Sequence, residues 1–136
     1  SMTGPICVMG RSLGSASAIE LAVNDQNRFA CLIVESGFAW AGPLLKILGI
    51  DADHMGFKEE QGFENVDKIK QFTKPCLVIH AQYDHIIPLS DGRALYEACR
   101  ADKKKLLEIE GANHNDIFLR GMDIYLSHVR EICFSE

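Results

Sequence analysis

Short apolar runs recur along this chain and mark its framework. Four of them, at positions 5–9, 31–34, 76–80 and 106–109, are four or five residues long and predominantly apolar. Runs of this length beside glycine, serine or proline are typical of buried β-strands. We therefore predict four buried strands. The third is entered through Pro75, because proline is tolerated at the start of a strand.

The intervals between the strands carry helical periodicity. Segment 15–23 repeats apolar residues at helical spacing, and Asn24 and Asp25 end it. Ser90 is placed to N-cap a helix between the third and fourth strands. After the fourth strand we predict an amphipathic C-terminal helix, with an apolar face made of Leu119, Met122, Leu126, Val129 and Cys133.

Apolar strands separated by helices indicate a parallel sheet that is covered on both faces. We expect an α/β fold, a three-layer sandwich around a mostly parallel sheet of about four strands. The 136 residues fit a single domain, 1–136, because domains most often contain roughly 100–150 residues.

Segment 38–72 is longer than a simple crossover needs. Its pattern predicts short helices at 43–48 and 66–72 with a polar turn at 51–53 between them, and it carries Trp40, Phe57 and Phe63. We interpret this insertion either as a lid or substrate wall above the sheet, or as an elaborated crossover that packs its aromatic side chains inward.

The sequence Gly10-Arg11-Ser12-Leu13-Gly14 lies directly between a predicted strand and a predicted helix. A G-x-S-x-G in this position is typical of a nucleophile elbow, a tight turn that holds the serine hydroxyl clear of the sheet. The N–H groups at the start of the helix point toward a developing oxyanion, and Leu13 would supply one of them. A plain glycine-rich turn is the alternative.

Two further polar residues follow later strands. Asp84 comes after the third strand, where ligands of parallel sheets bind, and could hold a histidine in one tautomer. His114 lies in a loop of small residues just after the fourth strand. Each has an ordinary alternative as a loop residue, but the order Ser12, Asp84, His114 is the order of nucleophile, acid and base in hydrolases that use an elbow.

The three segments 8–14, 78–88 and 111–114 together resemble the α/β-hydrolase superfamily, in its branch of serine hydrolases and dipeptidyl-peptidase-like or acyl-esterase-like domains. The resemblance extends over nearly the whole chain and corresponds to the C-terminal half of that fold, from the nucleophile strand onward. It implies that Ser12, Asp84 and His114 are nucleophile, acid and base, and that catalysis proceeds by acyl transfer through an acyl-enzyme.

The chain also departs from this family. A complete α/β-hydrolase core has four strands before the elbow, and the loop that donates the other oxyanion N–H belongs to that part. The first strand would then be an open sheet edge, a template for pairing with another chain. We expect a homodimer or a partner chain along this edge, from Ile6 to Met9.

Composition excludes some function classes. The formal net charge of −5 argues against a nucleic-acid partner, and no apolar stretch approaches the ~20 residues that span a bilayer. The lysines at 103–105 are predicted to form a solvated turn. The five cysteines lack metal-ligand spacing, so we expect no metal site. Because the set is odd and dispersed, we expect reduced thiols and a cytoplasmic location. We also expect no cofactor.

Several other polar residues are weaker candidates. Among the other histidines, His80 is predicted to end a strand and His85 to lie in a loop. His54 and His128 are predicted to be surface residues. Glu35 and Asp116 lie near strand ends and are interpreted as structural. Arg11 either faces the pocket or pairs with an acid.

Two functions follow. The first is a serine hydrolase that cleaves an ester, thioester or amide of a small-molecule or acyl substrate through Ser12. The alternative is a truncated, catalytically incomplete hydrolase domain that acts as a binding or assembly module.

Overall fold

The computed structural model describes residues 6–47, 49 and 64–134. Its strands are β1 (Cys7–Arg11), β2 (Cys31–Glu35), β3 (Cys76–Ala81) and β4 (Lys104–Ile109). Its helices are α1 (Gly14–Asn24), α2 (Ala41–Ile47), α3 (Asn65–Ile69), α4 (Leu89–Ala98) and α5 (Ile117–Cys133), with a 3-10 helix at Gln26–Arg28. No helix among the described residues is long and apolar enough to cross a bilayer.

The four strands form one parallel sheet in the order β1-β2-β3-β4, which confirms the predicted fold class. In β2 and β3 every residue is buried. The prediction of a buried first strand is wrong for β1, in which Met9 is 47% exposed. The physical reason is position, because within the described sheet β1 pairs only with β2 and is an edge strand.

Alternate residues of the strands face two separate apolar clusters. Leu32 and Val34 pack with α1, α3 and α4 on one face of the sheet. Cys31 and Ile33 pack with α5 on the other. This is the three-layer arrangement that apolar strands separated by helices predict.

The C-terminal helix forms as predicted but buries a different face. Its buried residues are Ile117, Gly121, Tyr125 and Ile132. The predicted face is wrong in its first half, since Leu119 is 88% exposed. The segment carries apolar residues on two faces, and the face at positions 117, 121, 125 and 132, also at helical spacing, is the one that packs on the sheet. The helix is kinked at Gly121 (φ −139°, ψ 31°). A Cβ at Gly121 would lie 3.0 Å from Ile109, so the missing side chain lets the helix approach β4.

Three smaller predictions need correction or lie outside the described residues. The lysine run is not a turn, because Lys104 and Lys105 begin β4. The N-cap of α4 is Pro88, which leaves Ser90 inside the first turn. Within segment 38–72, α2 and α3 confirm the two short helices, whereas the turn at 51–53 and both Phe57 and Phe63 lie outside the described residues.

The cysteines also depart from expectation. Cys7 and Cys31 are register partners on β1 and β2 and form a disulfide, so the prediction of five reduced thiols is wrong for this pair. Cys133, at the end of α5, has its Sγ 3.4 Å from the Cys31 Sγ. Burial raises the pKa of Cys133, which is therefore a neutral thiol beside the disulfide.

Candidate active site

Ser12 occupies a strained turn between β1 and α1. Its φ of 54° lies in the left-handed region that serine rarely adopts. The turn is held by two backbone hydrogen bonds, from Ser12 N–H to the Glu35 carbonyl (2.9 Å) and from Ser15 N–H to the Ser12 carbonyl (3.0 Å). Strain maintained in this way is a common feature of functional sites.

The two glycines of the G-x-S-x-G sequence have different roles. A Cβ at Gly10 would lie 2.5 Å from both the Ala18 Cβ and the Gly14 carbonyl oxygen, so only glycine permits this contact between β1 and α1. A Cβ at Gly14 would meet nothing within 4 Å. The close packing of helix on strand therefore depends on the first glycine alone.

The structure brings Ser12, His114 and Asp84 together. The Ser12 Oγ lies 3.1 Å from the His114 Nε2, and the His114 Nδ1 lies 2.7 Å from the Asp84 Oδ2. Asp84 and His114 are buried, whereas Ser12 is partly exposed. If Nδ1 donates its proton to the carboxylate, Nε2 is left as the acceptor that a serine hydroxyl requires.

Asp84 is held from its other side as well. Its Oδ1 accepts hydrogen bonds from the backbone N–H groups of Ile86 (2.9 Å) and Ile87 (2.8 Å). His80, fully buried in β3, places its Nε2 2.7 Å from the Ile87 carbonyl oxygen and 3.5 Å from the Asp84 Oδ2. Two N–H donors on Oδ1 hold the Asp84 carboxylate with its other oxygen toward His114.

A second network supports the backbone of His114. Arg11 donates from Nε to the Glu35 carboxylate (2.5 Å) and from a terminal nitrogen to the His114 carbonyl oxygen (2.6 Å). The Tyr125 hydroxyl donates to the other oxygen of Glu35 at 2.6 Å. Burial, together with the neighbouring carboxylate, raises the pKa of Tyr125 and keeps it a neutral donor.

This network resolves the open assignments. Arg11 pairs with an acid, and Glu35 is that acid, its direct register partner across β1 and β2. Tyr125 was absent from the sequence-based candidates. The signal in the sequence that could have selected Tyr125 is its hydroxyl within an amphipathic helix, because a buried tyrosine hydroxyl usually finds a hydrogen-bond partner.

Asp116 has a structural role in the His114 loop. Its Oδ1 accepts from the Asn113 N–H (2.6 Å), and its Oδ2 contacts the Arg120 Nε (3.3 Å). Of the remaining histidines, His85 is exposed and His128 is half-exposed, and neither contacts the triad. His54 lies outside the described residues.

Leu13 is the N-cap of α1 and is 57% exposed beside Ser12. The first N–H groups of a helix have no acceptor within it and carry the positive end of the helix dipole. A hydroxyl next to a histidine, with a carboxylate behind the histidine, can attack a carbonyl carbon, and the start of a helix beside the hydroxyl favours the negative charge that then develops.

Among the described residues, three cysteines bring their sulfur atoms close enough together to hold a metal ion. Cys7, Cys31 and Cys133 have their Sγ atoms within 4.8 Å of one another, at the opposite end of the strands from Ser12. The absence of local metal-ligand spacing in the sequence gave no sign of this cluster, because its members are brought together by sheet register and by the end of α5.

Comparison with known proteins places this fold in a family. Residues 3–122 match the prolyl oligopeptidase family. Alpha/beta hydrolase domain-containing protein 17B of Homo sapiens is 32% identical over 134 residues, which are 96% of this chain and 42% of that protein. Protein 17C of Homo sapiens is 33% identical over 135 residues, 90% of this chain and 36% of that protein.

The chain thus spans about two fifths of the length of these curated relatives. Among solved structures, a monoacylglycerol lipase from Paleococcus ferrophilus superposes with a TM-score of 0.71 at 17% identity, covering 96% of this chain and 68% of that one. At this identity the likeness concerns the fold alone. On the extent of the family match, the chain belongs to the prolyl oligopeptidase family of the α/β-hydrolase superfamily.

Proposed function

We propose that this chain carries the catalytic triad of a serine hydrolase that cleaves esters, thioesters or amides through an acyl-enzyme on Ser12. Membership of a hydrolase family supports hydrolysis in general. The observation that carries the finer proposal is the continuous chain of contacts from the Ser12 Oγ through His114 to Asp84, at 3.1 and 2.7 Å.

In the proposed mechanism, the His114 Nε2 takes the Ser12 hydroxyl proton as Oγ attacks the substrate carbonyl carbon. Asp84 remains ionised and stabilises the imidazolium through its contact with Nδ1. The imidazolium then protonates the leaving group. Water, deprotonated by His114, attacks the acyl-enzyme and releases the acid, which returns Ser12 to its starting state.

The Leu13 N–H would stabilise the oxyanion of both tetrahedral intermediates. In α/β-hydrolases a second donor comes from a loop that precedes the elbow in chain order. Loss of one oxyanion donor typically lowers turnover by ~10²–10³, and we propose a contribution of this size for the Leu13 N–H.

The edge of the described sheet offers a place for a second chain. β1 is at the end of the described sheet, and Ile6 and Met9 are 50% and 47% exposed. We propose that a second chain pairs along Ile6 to Met9. Sedimentation of the purified chain should show a dimer that Met9→Lys dissociates, and a concentration-independent monomer would contradict this pairing.

Acyl-enzyme trapping tests the catalytic proposal. The purified chain, mixed with an activated nitrophenyl ester and quenched in acid, should gain one acyl mass on the peptide that contains Ser12. Ser12→Ala should gain none, and the matched control Ser17→Ala, at an exposed serine in helix α1, should behave as wild type. Equal hydrolysis by the wild type and Ser12→Ala would overturn the proposal.

A further inference from the structure

Away from the triad, three sulfur atoms converge at the opposite end of the strands from Ser12. Cys7 and Cys31 begin adjacent strands in direct register, and Cys133 ends the helix that covers that face. Because α5 runs back across the sheet from the His114 loop, its last turn reaches the point where the strands start. The sulfur cluster, comprising Cys7, Cys31 and Cys133, is therefore a product of the fold.

We propose that, once the Cys7–Cys31 disulfide is reduced, the sulfur cluster binds a soft divalent metal ion such as Zn²⁺. The reduction is an ordinary exchange in which a dithiol or phosphine reductant is oxidised and two thiols are released. Metal binding then releases the three thiol protons and forms three metal–sulfur bonds.

The distances fit this ligand set. Metal–thiolate bonds of ~2.3 Å place the sulfur atoms of a three-cysteine site about 4 Å apart. The Sγ atoms here lie within 4.8 Å of one another, and those of Cys31 and Cys133 are 3.4 Å apart. Cys7 and Cys31 must separate most, and reduction of their bond allows this.

The surroundings favour a soft ion and permit its entry. The cluster packs in the apolar layer between the sheet and α5, in contact with residues such as Ile33 and Leu77. Unpaired thiolates are costly in such an environment, so a cation is needed to keep them ionised. Cys31 is fully buried, whereas Cys7 and Cys133 are partly exposed and provide a path for the metal.

The other two cysteines serve as an internal comparison. Cys76 and Cys99 form a second buried pair, and the Cys76 thiol lowers the pKa of Cys99 to about 7. This pair offers only two sulfur ligands. A third sulfur is what distinguishes the sulfur cluster, which makes Cys133 the residue to change.

Cd²⁺ titration tests the proposal, since cadmium–thiolate bonds absorb in the ultraviolet. The chain is reduced with a phosphine, freed of metal and titrated as wild type, Cys133→Ser and Cys99→Ser. We expect one Cd²⁺ per wild-type chain, about 100-fold weaker binding for Cys133→Ser and unchanged binding for Cys99→Ser. Three results would each overturn the proposed metal site: equal Cd²⁺ binding by wild type and Cys133→Ser, loss of Cd²⁺ binding in Cys99→Ser, or absence of the cadmium–thiolate band.

Thermal unfolding provides a second readout and guards against a folding defect. Cd²⁺ should raise the Tm of the reduced wild type through mass action and leave that of Cys133→Ser unchanged. Without metal, the two proteins should unfold at similar temperatures. Ser12 and its partners take no part in the sulfur cluster. Failure of the cluster to bind metal would therefore leave acylation of Ser12 unaffected, so the two proposals can be tested separately.

Discussion

The two ends of the strands carry different chemistry on the same scaffold. At the carboxyl end, Ser12, Asp84 and His114 each lie shortly after a strand. Hydrogen bonds connect them to one another and to the neighbouring backbone. At the amino end, Cys7 and Cys31 begin their strands in an apolar layer. The contrast is that hydrogen bonds hold the polar residues in place, whereas strand register and the end of α5 bring the sulfur atoms of the proposed metal site together.

Helix α5 connects these two ends. It begins at Ile117, shortly after His114, and ends at Cys133, so its 17 residues extend for about 25 Å. Midway, Tyr125 donates to Glu35, which also binds Arg11. A change on α5 can therefore affect either end, and substitutions can separate the two.

The largest expected effect comes from Asp84→Asn, which alters only the carboxyl end. The amide would favour the wrong histidine tautomer, and turnover should fall by about 10⁴. Stopped-flow ester hydrolysis measures this. Asp102→Asn, an exposed aspartate, is the control. Unchanged turnover in a folded Asp84→Asn would separate Asp84 from the proposed chemistry.

Ile132→Ala acts at the sulfur end of α5. Ile132 is 1% exposed, and removing its side chain should lower the free energy of unfolding by about 2–5 kcal/mol. Ile124→Ala, at a 53% exposed position on the same helix, should cost less than about 0.5 kcal/mol. Urea denaturation compares them, and similar losses would mean that the buried face of α5 is misassigned.

Gly10→Ala and Gly14→Ala distinguish the two glycines around Ser12. A methyl group at Gly10 meets Ala18 and backbone at 2.5 Å, so we expect about 1–3 kcal/mol of destabilisation. At Gly14 it meets nothing, and the change should be neutral or slightly stabilising. Chemical denaturation of both variants measures this, and equal losses would argue against close packing at Gly10.

The smallest expected effect is that of Tyr125→Phe. Removing the hydroxyl deletes one hydrogen bond to Glu35, while Arg11 remains, so stability should fall by about 1 kcal/mol. Turnover should fall modestly as the His114 loop loosens. Tyr83→Phe, at a 65% exposed position, should change neither quantity. A Tyr125 variant equal to wild type in both would remove this connection between the two ends.

The comparison also shows what the sequence could predict. The parallel sheet followed from short apolar runs, since strands buried on both faces leave a clear local pattern. The approximate positions of most helices followed from helical spacing of apolar residues. Ser12, Asp84 and His114 could be selected because each has a fixed place relative to a strand. Their convergence at 3.1 and 2.7 Å is consistent with that reasoning.

Features that depend on tertiary contacts were missed. The buried face of α5 differs from the predicted one because the segment carries apolar residues on two faces, and contact with the sheet decides which face is buried. The sulfur cluster depends on register between β1 and β2 together with the end of α5, and no spacing rule contains that information.

The central claim is that Ser12 is activated by His114 and Asp84, and labelling by a fluorophosphonate tests it most directly. We predict one label on the wild-type peptide that contains Ser12, loss of the label in Ser12→Ala, and full labelling in Ser17→Ala. A folded wild-type chain that remains unlabelled, or a label that persists in Ser12→Ala, would contradict the account.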